Sequence, residues 1–535
     1  MTWKMSGAPA PAPGLVVTRR ELRSVERASR TGGRKSWLAR AARARAAAGQ
    51  VPGARGWNRP GGGRVTYIEP APEFRGTSVQ VCGLWPFSAG SGTPTVGVPL
   101  GRHLITSSTV CADPVMWFLN KQILNPSAFI LGRPGLGKST LVRRMITVLS
   151  AWGIIPLILS DLKPDYVDLV EALGGVVIRL GRGQGNVNPL DPGPLGQVIE
   201  RLPAELRRQV QGEMLGVRIN TLVGLLELVR GSTLRDHERT ILATSLRVLD
   251  ERLDRVPLIG DVQAIIEEAP PQLRGVAQDR GEMSRYQDRT EELISALIAL
   301  GPDGPFGDTF ACQTSTPMPM DAAAVVFDMS SVDDTDLLLQ AGLQLVCWSY
   351  GSSAVSTAKY LADAGLAPQR IYVLIMDELW RILRAAESMV DRIDALTRLN
   401  RQRGIAQMMI THTMNDLRMP TEDATAKAWG FVERAAMVFL GGLAEKEMGN
   451  LLDVFAMTKA ERELITDWST EGGYDPETGR AGAPPGQGNF LLKIGKKPGI
   501  PFNMTMTGAE RNVNDTNKRW HDIATRLQHR HEDET

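Results

Sequence analysis

At 535 residues the chain exceeds one ordinary domain, and its 43% hydrophobic and 22% charged residues suit a soluble protein with real cores. The formal charge of +2 hides an asymmetry, because roughly 15 basic and 4 acidic residues fall in the first 75 positions, leaving a mildly acidic remainder. From scattered Cys82, Cys111, Cys312 and Cys347 neither a disulfide framework nor a zinc site follows, and a reducing cytosol is the plain reading; the first residues show no apolar h-region and no stretch approaches ~18 consecutive apolar residues, so a membrane role is expected to run through partners.

Residues 1–75 are rich in Ala, Arg, Pro and Gly and are expected to form a disordered basic arm, with a transient helix near Arg34–Ala48. Such an arm is either a ligand for nucleic acid or anionic lipid, or a solvated Arg-rich tail. Residues 76–125 alternate short apolar segments with Gly/Pro/Ser turns and predict a β-rich lead-in. A main α/β domain follows in two parts, 126–194 and 306–508. Its buried-looking runs are SAFILG, IIPLILSD (154–161), AAAVVFDMS (322–330), IYVLIMDE (371–378), AQMMITHT (406–413) and AAMVFLGG (435–442). Helical stretches between them predict a parallel sheet with crossover helices. Between 195 and 305 the apolar spacing becomes helical throughout, predicting an all-α insertion. After a polar loop come two short strands, NFLLKIG and PFNMTMT, and a polar C-terminal helix and tail over 509–535.

Gly132-Arg133-Pro134-Gly135-Leu136-Gly137-Lys138-Ser139 satisfies GxxxxGK[ST], with Thr140 following. A hydrophobic strand feeds this loop and an amphipathic helix leaves it, flanks that a chance glycine turn would lack. The glycines let successive N–H groups point at phosphate oxygens, helped by the helix N-terminus. Lys138 would bridge the β- and γ-phosphates of ATP, and the Ser139 hydroxyl would ligate Mg2+.

The strand ending at Met376 runs into Asp377 and Glu378, at the sheet edge where open α/β proteins bind ligands. Asp377 suits holding Mg2+ and Glu378 suits polarising the attacking water; a helix N-cap is the bland alternative. Thr411 or His412, at the end of another strand, is a candidate γ-phosphate sensor, the alternative being a capped turn. Arg398, Arg401, Arg403 and Arg434 are candidates for an arginine that completes a neighbouring subunit's site, although cations also favour helix C-termini for their own sake.

From Asp161 the chain reads DLKPDYVDLVEALGGVVIRLGRGQGNVNPLD. This succession resembles the VirB/TraC-type traffic ATPases of type IV secretion and conjugation, within the HerA–FtsK superfamily, whose members carry DPxxEY…GG…NPLD after the phosphate loop. The approach PFSAGSGTPTVGVPLGRHLI, VVFDMSSV, the Asp377-Glu378 strand and ITHT occur in the family's order, over roughly residues 80 to 515. The resemblance implies a RecA-like P-loop (ASCE) α/β fold with ATP and Mg2+ as cofactors, and Asp161 and Asp165 as accessory acids. It also implies a cytoplasmic, hexameric ATPase at the inner face of the membrane, serving the conjugation apparatus. The chain departs from the family in having His412 where Gln is usual, and in the short stretch before the phosphate loop. Three other readings stand beside this one: a DNA translocase or coupling protein acting on DNA directly, an ATP-gated assembly module with little hydrolysis, and a small-molecule kinase.

Overall fold

The computed structural model describes residues 94–513, apart from 386–388, 392, 395–403, 473, 476–479 and 482–483. The basic arm with its helix near 34–48, Cys82 and the start of the lead-in lie outside the described residues, as does the C-terminal helix beyond Val513.

The strands are β1 (Pro99–His103), β2 (Thr109–Cys111), β3 (Ser127–Leu131), β4 (Ile155–Asp161), β5 (Val176–Arg179), β6 (Val325–Asp328), β7 (Tyr372–Met376), β8 (Ile405–Thr411) and β9 (Met437–Leu440). A two-residue hairpin, β10 (Tyr474–Asp475) with β11 (Arg480–Ala481), precedes β12 (Asn489–Lys493) and β13 (Ile500–Asn503). Eleven of these form one sheet in the order β2-β1-β13-β12-β9-β3-β8-β7-β4-β6-β5. From β9 to β5 every neighbouring pair is parallel, whereas β12, β13, β1 and β2 extend the other edge antiparallel. The parallel sheet expected of the α/β core is thus present from β9 to β5, and an antiparallel edge extends it. The reason is connectivity: β12 and β13 are joined by a short turn, which only antiparallel neighbours permit, and the lead-in strands β1 and β2 pair onto that hairpin.

Strands β3, β6, β7, β8 and β9 are buried along their whole length, the signature of parallel strands covered on both faces. Alternation sorts their side chains into two cores. Phe129 and Leu131 pack on one face, against the long helix Leu337–Asp363 and the helical insertion. Ala128 and Ile130 pack on the other, against the helix Lys138–Ala151. The helices from Pro194–Val198 to Met283–Leu300 all fall between β5 and β6. This layering leaves the C-terminal ends of β3, β4, β7 and β8 at one edge, open to a shared crevice. Among the described residues, no helix is long and apolar enough to cross a membrane.

Candidate nucleotide-binding site

The loop between β3 and the helix Lys138–Ala151 turns on Gly135 (φ +80°) and Gly137 (φ +100°), conformations that a Cβ would strain. Its first amides are tied to neighbouring strand ends: Gly132 N–H donates to His412 O (3.1 Å) and Arg133 N–H to Gly442 O (3.0 Å). Leu136 is buried, and the Arg133 guanidinium donates to Ser469 O (2.6 Å), so neither side chain lines the crevice. Pro134, Gly135, Gly137, Lys138, Ser139 and Thr140 do line it, a cleft of about 650 Å3.

Lys138 is 7% exposed. Its ammonium donates to Gly132 O (2.6 Å), Arg133 O (3.3 Å) and His412 Nδ1 (2.9 Å). Burial pushes this group down to about 8, against the upward pull of Asp377 and Glu378. An ammonium only donates, so His412 Nδ1 accepts and the ring proton sits on Nε2. That nitrogen donates to Glu378 Oε1 (3.2 Å). One imidazole thus ties the phosphate-loop lysine to the acid beyond β7.

Glu378 has φ +51°, a left-handed conformation that costs a non-glycine residue roughly 1–3 kcal/mol and is concentrated at functional sites. The turn sets its carboxylate among Lys163 Nζ (3.1 Å), His412 and Trp380 Nε1 (2.6 Å). Burial by itself would raise its pKa. The hydrogen bond from His412, the Lys163 ammonium and the Trp380 donor outweigh that and hold it well below the usual carboxylate range.

Half-buried Asp377 accepts from Tyr166 Oη–H (2.9 Å) and from Glu378 N–H (2.9 Å). Desolvation, reinforced by the neighbouring Glu378 charge, pushes it up to about 6. Asp161, ending β4, accepts from the amides of Asp165 (3.0 Å) and Tyr166 (2.8 Å); burial lifts it to about 7. Its place is that of a turn-holder. The turn aims Asp165 at Ser139, whose hydroxyl donates to Asp165 Oδ2 (3.1 Å). With its proton committed there, Ser139 keeps its oxygen lone pairs for the cleft.

These groups fit Mg2+, a hard cation that takes a hydroxyl, one or two carboxylates, phosphate oxygens and water instead of an all-protein cage. Among the described residues no cluster of three or more His, Cys, Asp or Glu forms such a cage. Ser160 lines the cleft, and its Oγ is buried beside Asp161 with no partner among the described residues.

Of the two sensor candidates, His412 lines the cleft, whereas Thr411 Oγ1 is buried with no partner among the described residues. Arg434 pairs with Asp394 (2.5 Å) on its own chain. Arg398, Arg401 and Arg403 lie outside the described residues. Sequence reasoning passed over Tyr166, Lys163 and Trp380, although each stands within or beside a quoted motif. Gln487, Met506 and Arg511 also line the cleft and carried no signal, being some 350–370 residues from the loop.

A phosphate loop at a strand end, opposite an acidic strand end across one crevice of a mostly parallel sheet, defines a RecA-like P-loop nucleotide-binding fold. Neither a family model nor a curated protein matches the sequence. Among solved structures the chain is similar to VirB4 of Thermoanaerobacter pseudethanolicus, with 16% identity over 79% of this chain and 100% of that one, at a TM-score of 0.58. The plasmid coupling protein TrwB in complex with ADP and Mg2+ is also similar, at 11% identity over 78% of this chain and 97% of that one, with a TM-score of 0.44. The chain shares the fold of VirB4.

Proposed function

We propose that this chain is an ATP-hydrolysing motor subunit of conjugative DNA transfer or type IV secretion, acting as a homo-hexamer at the inner face of the membrane. The carrying observation is the convergence of four strand ends on one cleft: Lys138 and Ser139 after β3, Asp165 after β4, Asp377 and Glu378 after β7, and His412 after β8. The motif DLKPDY…NPLD and the VirB4-like fold support the assignment to transfer machinery.

In this reading Lys138 leaves its carbonyl and imidazole partners to neutralise the β- and γ-phosphates. Ser139 and Asp377 hold Mg2+, which when bound neutralises phosphate charge, and Asp165 and Asp161 keep Ser139 and the turn in place. Glu378, ionised at neutral pH, orients the attacking water by hydrogen bonding. His412, released by Lys138, is positioned to meet the γ-phosphate. Arg403, outside the described residues, is the candidate to complete a neighbouring subunit's site.

The test is Mg2+-dependent ATP turnover by the purified chain. Lys138→Ala should weaken nucleotide binding or abolish turnover, and Glu378→Gln should bind ATP yet fail to hydrolyse it. Wild-type turnover by Glu378→Gln sinks the assignment. Strong, salt-sensitive stimulation by DNA would move the reading to a translocase acting on DNA directly.

A further inference from the structure

The residues after β13 are stitched to the phosphate loop from both ends. Gly488 N–H donates to Leu136 O (3.0 Å) in the loop, and Gly488 O accepts from Met504 N–H (2.7 Å). Gly488 has φ +77°, and a Cβ there would stand 2.9 Å from Met504 O, so the close approach requires glycine. On the helix that leaves the loop, Arg143 and Arg144 are 2% and 8% exposed. Arg144 grips the Glu510 carboxylate with two nitrogens and also donates to Thr505 O (2.7 Å) and Leu100 O (3.2 Å). Arg143 donates to Val513 O. Two buried guanidiniums on the phosphate-loop helix therefore hold the segment Thr505–Val513 against it.

That anchoring brings Gln487, Met506 and Arg511 to the cleft wall. Arg143 and Arg144 lie about one turn beyond Thr140 on the helix. In the sheet, β12 and β13, which carry this wall, lie on the β9 side of the phosphate-loop strand β3, whereas the acidic pair follows β7 on its β8 side; with the phosphates in the loop, the nucleoside end of a nucleotide is left to this wall. Gln487 and Arg511 are exposed and Met506 half-buried. A planar guanidinium, a polarisable thioether and an amide suit the faces and edge of an aromatic base.

We propose that Gln487, Met506 and Arg511 form the base-binding half of the nucleotide site, with Arg511 stacking on the base, so that the C-terminal segment sets nucleoside affinity. This rests on the P-loop reading above. The experiment measures equilibrium binding of a non-hydrolysable ATP analogue, and of inorganic tripolyphosphate as competitor, to the full chain. Arg511→Ala and Met506→Ala should each weaken the ATP analogue by about tenfold and leave tripolyphosphate affinity unchanged. Arg511→Lys should behave like Arg511→Ala, since an ammonium keeps the charge but cannot stack. Unchanged analogue affinity in both alanine variants overturns the proposal. So does a parallel loss of tripolyphosphate in Arg511→Ala that Arg511→Lys restores, which would make Arg511 a phosphate contact. Lys138→Ala separates the two readings: it should weaken both ligands, and if wild type binds neither, the P-loop reading itself fails.

Discussion

Tyr166→Phe isolates a single hydrogen bond at the acidic side of the cleft. The phenol is fully buried, and burial together with the charges of Asp377, Asp165 and Asp161 pushes its pKa far above the ordinary value. It therefore stays protonated and donates to Asp377 Oδ2 at 2.9 Å. Phenylalanine keeps the ring's packing against its core and deletes only that donor. A hydrogen bond to a charged group contributes roughly 1.5–3 kcal/mol, which at about 1.4 kcal/mol per tenfold corresponds to a factor of roughly 10–150. Loss of a group that orients a metal ligand falls in the same range, about 10–100-fold in metal affinity or activity. We expect the Mg2+ concentration for half-maximal turnover to rise, or kcat/KM to fall, by about that factor. ATP binding without Mg2+ should hold, because Lys138 and the loop amides are untouched. A variant with wild-type Mg2+ dependence and turnover would refute the argument. An equal loss of Mg2+-free binding would show that the cleft had collapsed and refute it too.

Replacing His412 tests the bridge between Lys138 and Glu378. His412→Gln retains a donor and an acceptor and should keep turnover within several-fold, whereas His412→Ala should lose about tenfold or more; equal rates in both would show the bridge to be idle. Lys493 is 1% exposed and bonded to Glu461 (2.9 Å), so Glu461→Ala strands a buried ammonium and should cost about 3–5 kcal/mol in denaturant unfolding. Glu461's folded value lies below its ordinary 4.5, because the amides of Thr458 and Gly499 and the Lys493 ammonium outweigh the effect of burial. Its stabilisation is therefore complete above that pH and lost as pH falls through the folded value, and Glu461→Gln should flatten that acid limb of a stability curve. Arg144→Met leaves the Glu510 carboxylate without its guanidinium. It should make the segment beyond Asn503 the first to yield to limited proteolysis, and an unchanged cleavage order would argue against the anchoring described above.

Much of the site was legible because its chemistry is local. A phosphate loop needs its glycines, lysine and serine within eight residues, and an acid pair needs only a strand before it. Strand positions were legible for the same reason, since fully buried parallel strands read as continuous apolar runs. The antiparallel edge was not, because pairing of β1 with β13 joins segments about 400 residues apart and no local pattern encodes it. Asp161 and Asp165 were recognised together as acids near the site, but their division of labour depends on which backbone amides each carboxylate meets.

Gly132–Ser139 and Asp377–Glu378 announce themselves in the linear chain because residue type and adjacent periodicity suffice to specify a loop geometry. The folded chain alone decided that Tyr166 would hold Asp377, that His412 would join Lys138 to Glu378, and that Arg144 would draw residues 505–513 onto the phosphate-loop helix. Those contacts arise when crossover helices stack on a shared sheet and bring its strand ends together, and their sequence separations leave no periodic trace.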